Sequence, residues 1–215
     1  MPFSQIQKPQ AVLFDWDNTL VDTMPLICAS INHTLQHFGM GTWSEADTKQ
    51  KIQLSARDGL PSFFGDRWQE ALAIYRDYYH QNHLDLLAPL EGASDLLDQL
   101  HRQQIPMGLV SNKVGPTLRA EVSHLNWDYY FSAIVGAGDA EKDKPNPQPA
   151  LLALAAMKLP PSLNIWFVGD TPVDWQCAEA VGCWPIPIGL GHEEAKAYSQ
   201  AIKNCRELEK ILTKL

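Results

Sequence analysis

Residues 11–22 read AVLFDWDNTLVD. Four apolar residues, Ala11-Val12-Leu13-Phe14, run directly into Asp15-Trp16-Asp17, and Asn18-Thr19-Leu20 follow. A short, partly β-favouring apolar run of this kind reads as a strand buried on both faces of a parallel sheet. In open α/β sheets, ligands bind beyond the carboxyl ends of the strands. Here that end carries two carboxylates and a hydroxyl. Carboxylates so close repel each other unless a proton or a cation neutralises them. The stretch is therefore either a loop built for a metal-assisted nucleophile or a strand ending in a polar turn, and the rest of the chain has to decide.

Composition narrows the classes. The chain has 215 residues, enough for one domain or one domain with an insert. It is 45% hydrophobic and 20% charged, which suits a globular protein with a sizeable core. A net charge of −8 argues against sequence-independent binding to nucleic acid. It leaves room for a phosphorylated substrate, because a bound cation and a few local lysines set the field inside a pocket. The first ten residues, MPFSQIQKPQ, lack the apolar core of a secretory signal. No apolar run approaches the roughly 20 residues of a membrane helix. The four cysteines, Cys28, Cys177, Cys183 and Cys205, show no C-x-x-C spacing. Reduced thiols and a cytoplasmic location, with no membrane partner, are the expectation.

The apolar pattern divides the chain. After Asp22, Met24, Ile27, Ile31, Leu35 and Phe38 recur at helical spacing, and Gly39 ends the run. Ser44-Glu45-Ala46-Asp47 is a capping-type start for a second helix, reaching about Leu54. A third, from about Asp66 to Asn82, carries Trp68, Leu72, Tyr75 and Tyr79 on one face. Residues 22–88 thus read as a helical insert without a strand. From Pro89 strands and helices alternate. Strands are expected at Ile105–Val110, Ala133–Val135, Ile165–Val168 and Trp184–Ile188, the last near a sheet edge because of its prolines. Alternation of this kind predicts an α/β fold, with a parallel sheet and helices on both faces.

Several of these strands end in polar clusters. Asp15, Asp17 and Thr19 follow the first, Ser111 and Asn112 the second, and Asp170, Thr171 and Asp174 a later one. Lys142 and Lys144 stand in the intervening stretch EKDKPNPQP. In a parallel sheet all these ends share one edge. Carboxylates, small polar groups and a lysine brought together there suit phosphoryl transfer. One carboxylate attacks phosphorus, others hold a hard cation such as Mg²⁺, and the lysine offsets charge on the transferred group.

At these residues the chain resembles the haloacid dehalogenase superfamily, in its phosphoglycolate-phosphatase-like branch. Asp15-x-Asp17-x-Thr19, Ser111, Lys144-Pro145 and Gly169-Asp170-Thr171-x-x-Asp174 look like its four motifs in order. The insert after the first motif looks like the family's helical cap. The resemblance implies a Rossmann-like catalytic core over residues 1–21 and 89–215 and an all-helical cap domain over 22–88. It implies a Mg²⁺-dependent phosphatase acting on a small phosphorylated metabolite through an aspartyl-phosphate. Asp15 would be the nucleophile. Asp17 would protonate the leaving oxygen and then activate water, and its backbone carbonyl would join Asp15 and Asp170 on the metal. For the first task its surroundings should favour a proton on Asp17 over one on Asp15. Thr19 would orient the loop, Ser111 and Asn112 would bind phosphoryl oxygens, and Lys144 would pair with Asp15 and the phosphate. Asp174 would order Lys144 or metal-bound water. Arg57, in the break between the second and third cap helices, is a candidate for substrate recognition.

The family usually has glycine where this chain has Asn18, one of the few residues that tolerate left-handed backbone. Asp17 argues against dehalogenase and phosphonatase chemistry, whose enzymes lack an acid at that position. A phosphomutase of the β-phosphoglucomutase type keeps all four motifs and stays open as the alternative. A catalytically silent binding protein on the same fold is the non-enzyme alternative. The assembly is expected to be a monomer or a homodimer. His33 and His37, at helical spacing, and the Phe63, Phe64 and Trp68 group read as helix surface and helical core, not as ligand sites.

Overall fold

A computed structural model describes residues 7–51, 59–189, 195 and 197–215. The strands are β1 (Ala11–Phe14), β2 (Val21–Asp22), β3 (Ala88–Pro89), β4 (Met107–Val114), β5 (Phe131–Ala137), β6 (Ile165–Gly169) and β7 (Trp184–Pro187). The helices are α1 (Met24–His37), α2 (Glu45–Lys51), α3 (Pro61–Phe64), α4 (Trp68–Asn82), α5 (Ala93–Arg102), α6 (Gly115–His124), α7 (Gln148–Ala156), α8 (Pro172–Val181) and α9 (Cys205–Leu212). The chain divides into two compact units, one of residues 1–21 and 89–215 and one of residues 22–88.

In the first unit, five parallel strands lie in the order β5-β4-β1-β6-β7. β1 sits in the middle, with Phe14 level with Leu109 of β4 on one side and Val168 of β6 on the other. All four β1 residues are fully buried, as a strand covered on both faces demands. The chain leaves β1 for β4, steps outward to β5, and returns to β6 on the far side of β1. The order reverses at β1, and such a switch point opens a crevice beyond the strand's carboxyl end. Asp15 is the first residue past that end, and its N–H still donates to Val168 O at 2.9 Å. Sheet topology therefore sets the first acid at the crevice.

Helices cover the sheet. One core joins Leu13, Val110, Val135 and Phe167 of the strands to Ala150, Ala153 and Leu154 of α7 and Cys177, Ala178 and Val181 of α8. The small residues of α7 and α8 let these helices approach the strands closely. α8 starts with Pro172, whose missing N–H would have no helical partner there. α9 starts behind Asn204, whose Oδ1 accepts from Glu207 N at 3.1 Å.

The second unit is helical. Ile31 and Leu35 of α1 pack with Phe64 of α3 and Ala71, Leu72 and Tyr75 of α4, and Phe63 and Trp68 lie partly buried against them. His33 stacks on Tyr78 with ring centroids 4.5 Å apart. The segments through which the chain enters and leaves this unit, β2 and β3, pair as a two-stranded ribbon, which the helical periodicity on either side does not announce.

The main departures from the sequence reading lie in strand extents. β4 does not stop at Val110; it runs through Ser111, Asn112 and Lys113 to Val114, with a register irregularity against β5 between Val110 and Val114. β5 is seven residues long rather than three, because it follows β4 through that irregularity to pair Ala137 with Val114. The third helix of the insert begins at Trp68, after a 3₁₀ turn at Gly65–Arg67. β7 does lie at the sheet edge. All four cysteines are free thiols. Among the described residues, no helix is long and apolar enough to cross a membrane.

Leu13 is fully buried at the centre of the sheet. Leu13→Ala is expected to lower unfolding free energy by about 2–5 kcal/mol, read from the midpoint of a urea denaturation curve.

Candidate active site

The site is assembled at the carboxyl edge of the sheet. The turn after β1 is tight: the N–H groups of Thr19, Leu20 and Val21 all point to Trp16 O. Asn18 adopts the left-handed conformation, φ 55°, that this turn requires, so asparagine takes the place of the more permissive glycine. Asp15 is nearly buried, whereas the Asp17 side chain retains 29% of its exposure. Thr19 is fully buried, with Oγ1 3.5 Å from Asp170 Oδ1.

Lys144 is the centre of the cluster. Its ammonium lies 2.6 Å from Asp15 Oδ1 and 2.6 Å from Asp174 Oδ1, with only 2% of the side chain exposed. Burial alone works against the lysine's charge, but the two carboxylates outweigh it and hold its pKa above the usual lysine range. Its backbone is clamped by Asn112, whose Oδ1 accepts from Lys144 N and whose Nδ2 donates to Lys144 O, both at 2.9 Å. Both functional groups of the Asn112 amide are thus engaged by one peptide segment. Lys142 has its backbone N–H on Gln148 Oε1.

Asp174 sits in the first turn of α8 and closes a capping box: its Oδ2 accepts from Thr171 N at 3.0 Å and from Thr171 Oγ1 at 2.8 Å. Its two oxygens therefore serve different partners, one the helix cap and one Lys144. A Cβ placed on Gly169 would lie 2.4 Å from Asp174 Cβ, so the chain needs glycine there for the carboxylate to reach the lysine. Ser111 is buried on β4, and its Oγ accepts from Lys113 N at 3.2 Å.

Carboxylate oxygens of Asp15, Asp170 and Asp174 come within 4.8 Å of one another. Burial, together with the neighbouring negative charges, drives Asp15 well above the usual carboxylate range, and Lys144 offsets only part of this. Asp170 is pushed the same way by burial, then by Asp15 and Asp174. Crowded oxygen donors that resist ionisation together are what a hard divalent cation relieves, so the residues fit Mg²⁺ or a similar ion. With Asp174 committed to Lys144 and Thr171, Asp15 and Asp170 are the pair best placed to face it. Asp15 is the more deeply enclosed of the two loop acids, with Asp17 keeping more of its side chain exposed.

The structure thus brings together Asp15, Lys144, Asp170, Asp174 and Thr19, with Asn112 behind the lysine. Arg57 lies outside the described residues. Sequence reasoning missed two members. Lys113 places its ammonium 2.7 Å from Asp17 Oδ1, and Glu121, fully buried on α6, lies 2.6 Å from the same ammonium. A signal existed for Glu121: it falls on the buried face of α6, between Leu118 and Val122, where a lone acid needs a partner.

The chain matches the haloacid dehalogenase-like hydrolase family over residues 12–186. It belongs to that family. It is 30% identical to pyrophosphatase PpaX of Bacillus velezensis over 82% of this chain and 81% of that one. A solved haloacid dehalogenase superfamily hydrolase from Ehrlichia chaffeensis shares 33% identity, covering 98% of this chain and 99% of that chain, at a TM-score of 0.68. The structure of a predicted phosphoglycolate phosphatase from Haemophilus somnus is 21% identical, covering 95% and 98%, at a TM-score of 0.81; it shares the fold.

Gly169→Ala is expected to destabilise the protein by about 1–3 kcal/mol through the forced shift of Asp174. It should also lower turnover, whereas Gly182→Ala, whose added Cβ would meet nothing within 4 Å but whose φ of 80° strains a side chain, should cost stability and leave turnover unchanged. Thermal melts and steady-state kinetics on both variants check this.

Proposed function

We propose that this hydrolase is a Mg²⁺-dependent phosphatase that transfers the phosphoryl group of a small metabolite to Asp15 and then to water. The observation that supports it most is the buried lysine shared by Asp15 and Asp174 beside Asp170. A carboxylate held by an ammonium at 2.6 Å is fixed in direction and is kept available as a nucleophile once a cation completes its neutralisation.

In this reading Asp15 attacks phosphorus and the bond to the leaving oxygen breaks. Asp17 delivers a proton to that oxygen and afterwards takes one from the water that cleaves the aspartyl-phosphate. Lys144 and Ser111 hold the equatorial oxygens as charge shifts among them. Asn112 contributes by fixing the Lys144 backbone, and Asp174 by aiming its ammonium. Asp15 and Asp170, with the Asp17 carbonyl, would hold Mg²⁺, which when bound supplies charge neutralisation at the phosphoryl group. Residues 22–88 are assigned the role of the substrate-selecting cap. The name of the PpaX relatives puts inorganic pyrophosphate first among substrates to be tried, ahead of phosphoglycolate and sugar phosphates.

The test is phosphate release from an aryl phosphate and from pyrophosphate, with and without Mg²⁺. Asp15→Asn is expected to lower kcat on the order of 10⁴-fold or more; activity that survives it defeats the mechanism. Mg²⁺ should raise the melting temperature, by about 2.7 kcal/mol of stabilisation at a hundredfold excess over Kd. Asp170→Asn should remove that shift. A melting temperature that responds to Mg²⁺ equally in both proteins places the ion elsewhere.

A further inference from the structure

The site contains two lysine–aspartate pairs, and the mechanism above uses one. Lys144 holds Asp15 and is backed by a buried acid, Asp174. Lys113 holds Asp17 at 2.7 Å and is backed by a buried acid, Glu121, at 2.6 Å. The second pair has the same construction around the other loop aspartate.

We propose that Lys113, anchored by Glu121, is a positioning residue that fixes the Asp17 carboxylate for proton transfer to the leaving oxygen. This rests on the reading of Asp17 as the acid. Three features carry it. The first is access: the Glu121 side chain is fully enclosed, that of Lys113 is 6% exposed, and that of Asp17 is 29% exposed. The chain of charges thus runs from the interior outward and ends on the acid. The second is anchoring. Glu121 Oε2 also accepts from Trp16 Nε1 at 2.7 Å, and the Trp16 ring is buried edge-on against Trp127, with centroids 5.8 Å apart. One carboxylate thereby ties down both the lysine that meets Asp17 and the residue next to Asp17 in the turn. The third is aim. Lys113 lies in the irregular stretch of β4 between Val110 and Val114, and irregularities of this kind redirect side chains from their normal alternation.

The consequence is a choice of oxygen. Oδ1 of Asp17 is buried against the Lys113 ammonium, which leaves Oδ2 for the substrate. When the ester bond breaks, the proton on Oδ2 moves to the leaving oxygen, and the electron pair it leaves behind is shared over a carboxylate whose Oδ1 already faces an ammonium. A buried glutamate is costly to keep unless it is paired. Glu121 meets that cost with two donors, both serving the nucleophile turn.

The experiment compares kcat/KM for phenyl phosphate, whose leaving oxygen needs a proton, with that for dinitrophenyl phosphate, whose leaving group departs without one. Because Lys113→Met alone would strand the buried glutamate, the main variant is Lys113→Met combined with Glu121→Gln, which preserves an acceptor for Trp16. Glu121→Gln alone, a milder change, is the second. Melting temperatures report whether each folds. Both are expected to lose kcat/KM on phenyl phosphate selectively, the double variant on the order of 10²-fold, with little change on dinitrophenyl phosphate. Lys113→Arg should recover part of the loss. Equal losses on both esters, or no loss on either, in the folded variants overturn the inference. Asp17→Asn is the control for the reading beneath it. If Asp17→Asn shows the selective loss and the lysine variants do not, Lys113 is structural and Asp17 keeps its role. If Asp17→Asn shows no selectivity, both assignments fall.

Discussion

A single buried ammonium organises this site. Lys144 is almost wholly removed from water, a position that would be untenable for a lone charge, and it is held there by two carboxylates at hydrogen-bonding distance. Each of those carboxylates is anchored to a different element. Asp15 follows the central strand, and Asp174 lies in the first turn of α8, the helix after β6. The lysine itself comes from the segment between β5 and α7 and is set by the Asn112 amide from β4. Four separate pieces of chain therefore meet at one residue, and the sheet order that places β1 between β4 and β6 is what allows them to meet. Losing the lysine leaves two buried carboxylates without their shared partner.

Small residues make this convergence possible. Gly169 lets Asp174 pack directly on β6, closer than any Cβ would permit. Asn18 turns the chain immediately after Asp17 in a conformation few residues accept. Thr171 takes one oxygen of Asp174 into the helix cap, which leaves the other for the lysine. The helix cap and Lys144 share one carboxylate, so stability of α8 and orientation of Lys144 are linked.

Much of this was readable from the chain alone, for a physical reason. Asp15, Asp17, Asp170 and Asp174 each follow a strand or open a helix, and the alternation of strands and helices puts those ends on one edge. Lys144 lies in the connection between β5 and α7 and is distinguished from Lys142 by the family resemblance at Lys144-Pro145. What could not be read were the interactions that depend on how a strand ends. Ser111, Asn112 and Lys113 look like a loop beyond an apolar run; in the fold they continue the strand through an irregular register, which sends Asn112 to the Lys144 backbone and Lys113 to Asp17. Asn112, a candidate phosphate ligand by its place in the chain, is engaged by the backbone of its neighbour for that reason. The relative burial of Asp15 and Asp17 was also beyond the sequence, since it is set by what covers each side of the turn.

The far edge of the sheet has a consequence for how copies of this protein meet. β7 contains Pro185 and Pro187, which have no N–H to offer, and Ile202 N donates to Pro187 O at 2.8 Å from the chain's own later segment. Isolated bridging of Ile188 to Ile202 continues that cover. An outside strand arriving at this edge would find missing donors and an acceptor already taken, so the sheet is closed to extension there without a barrel or an added helix. Any self-association through β7 would have to rely on side chains, not on continued backbone pairing.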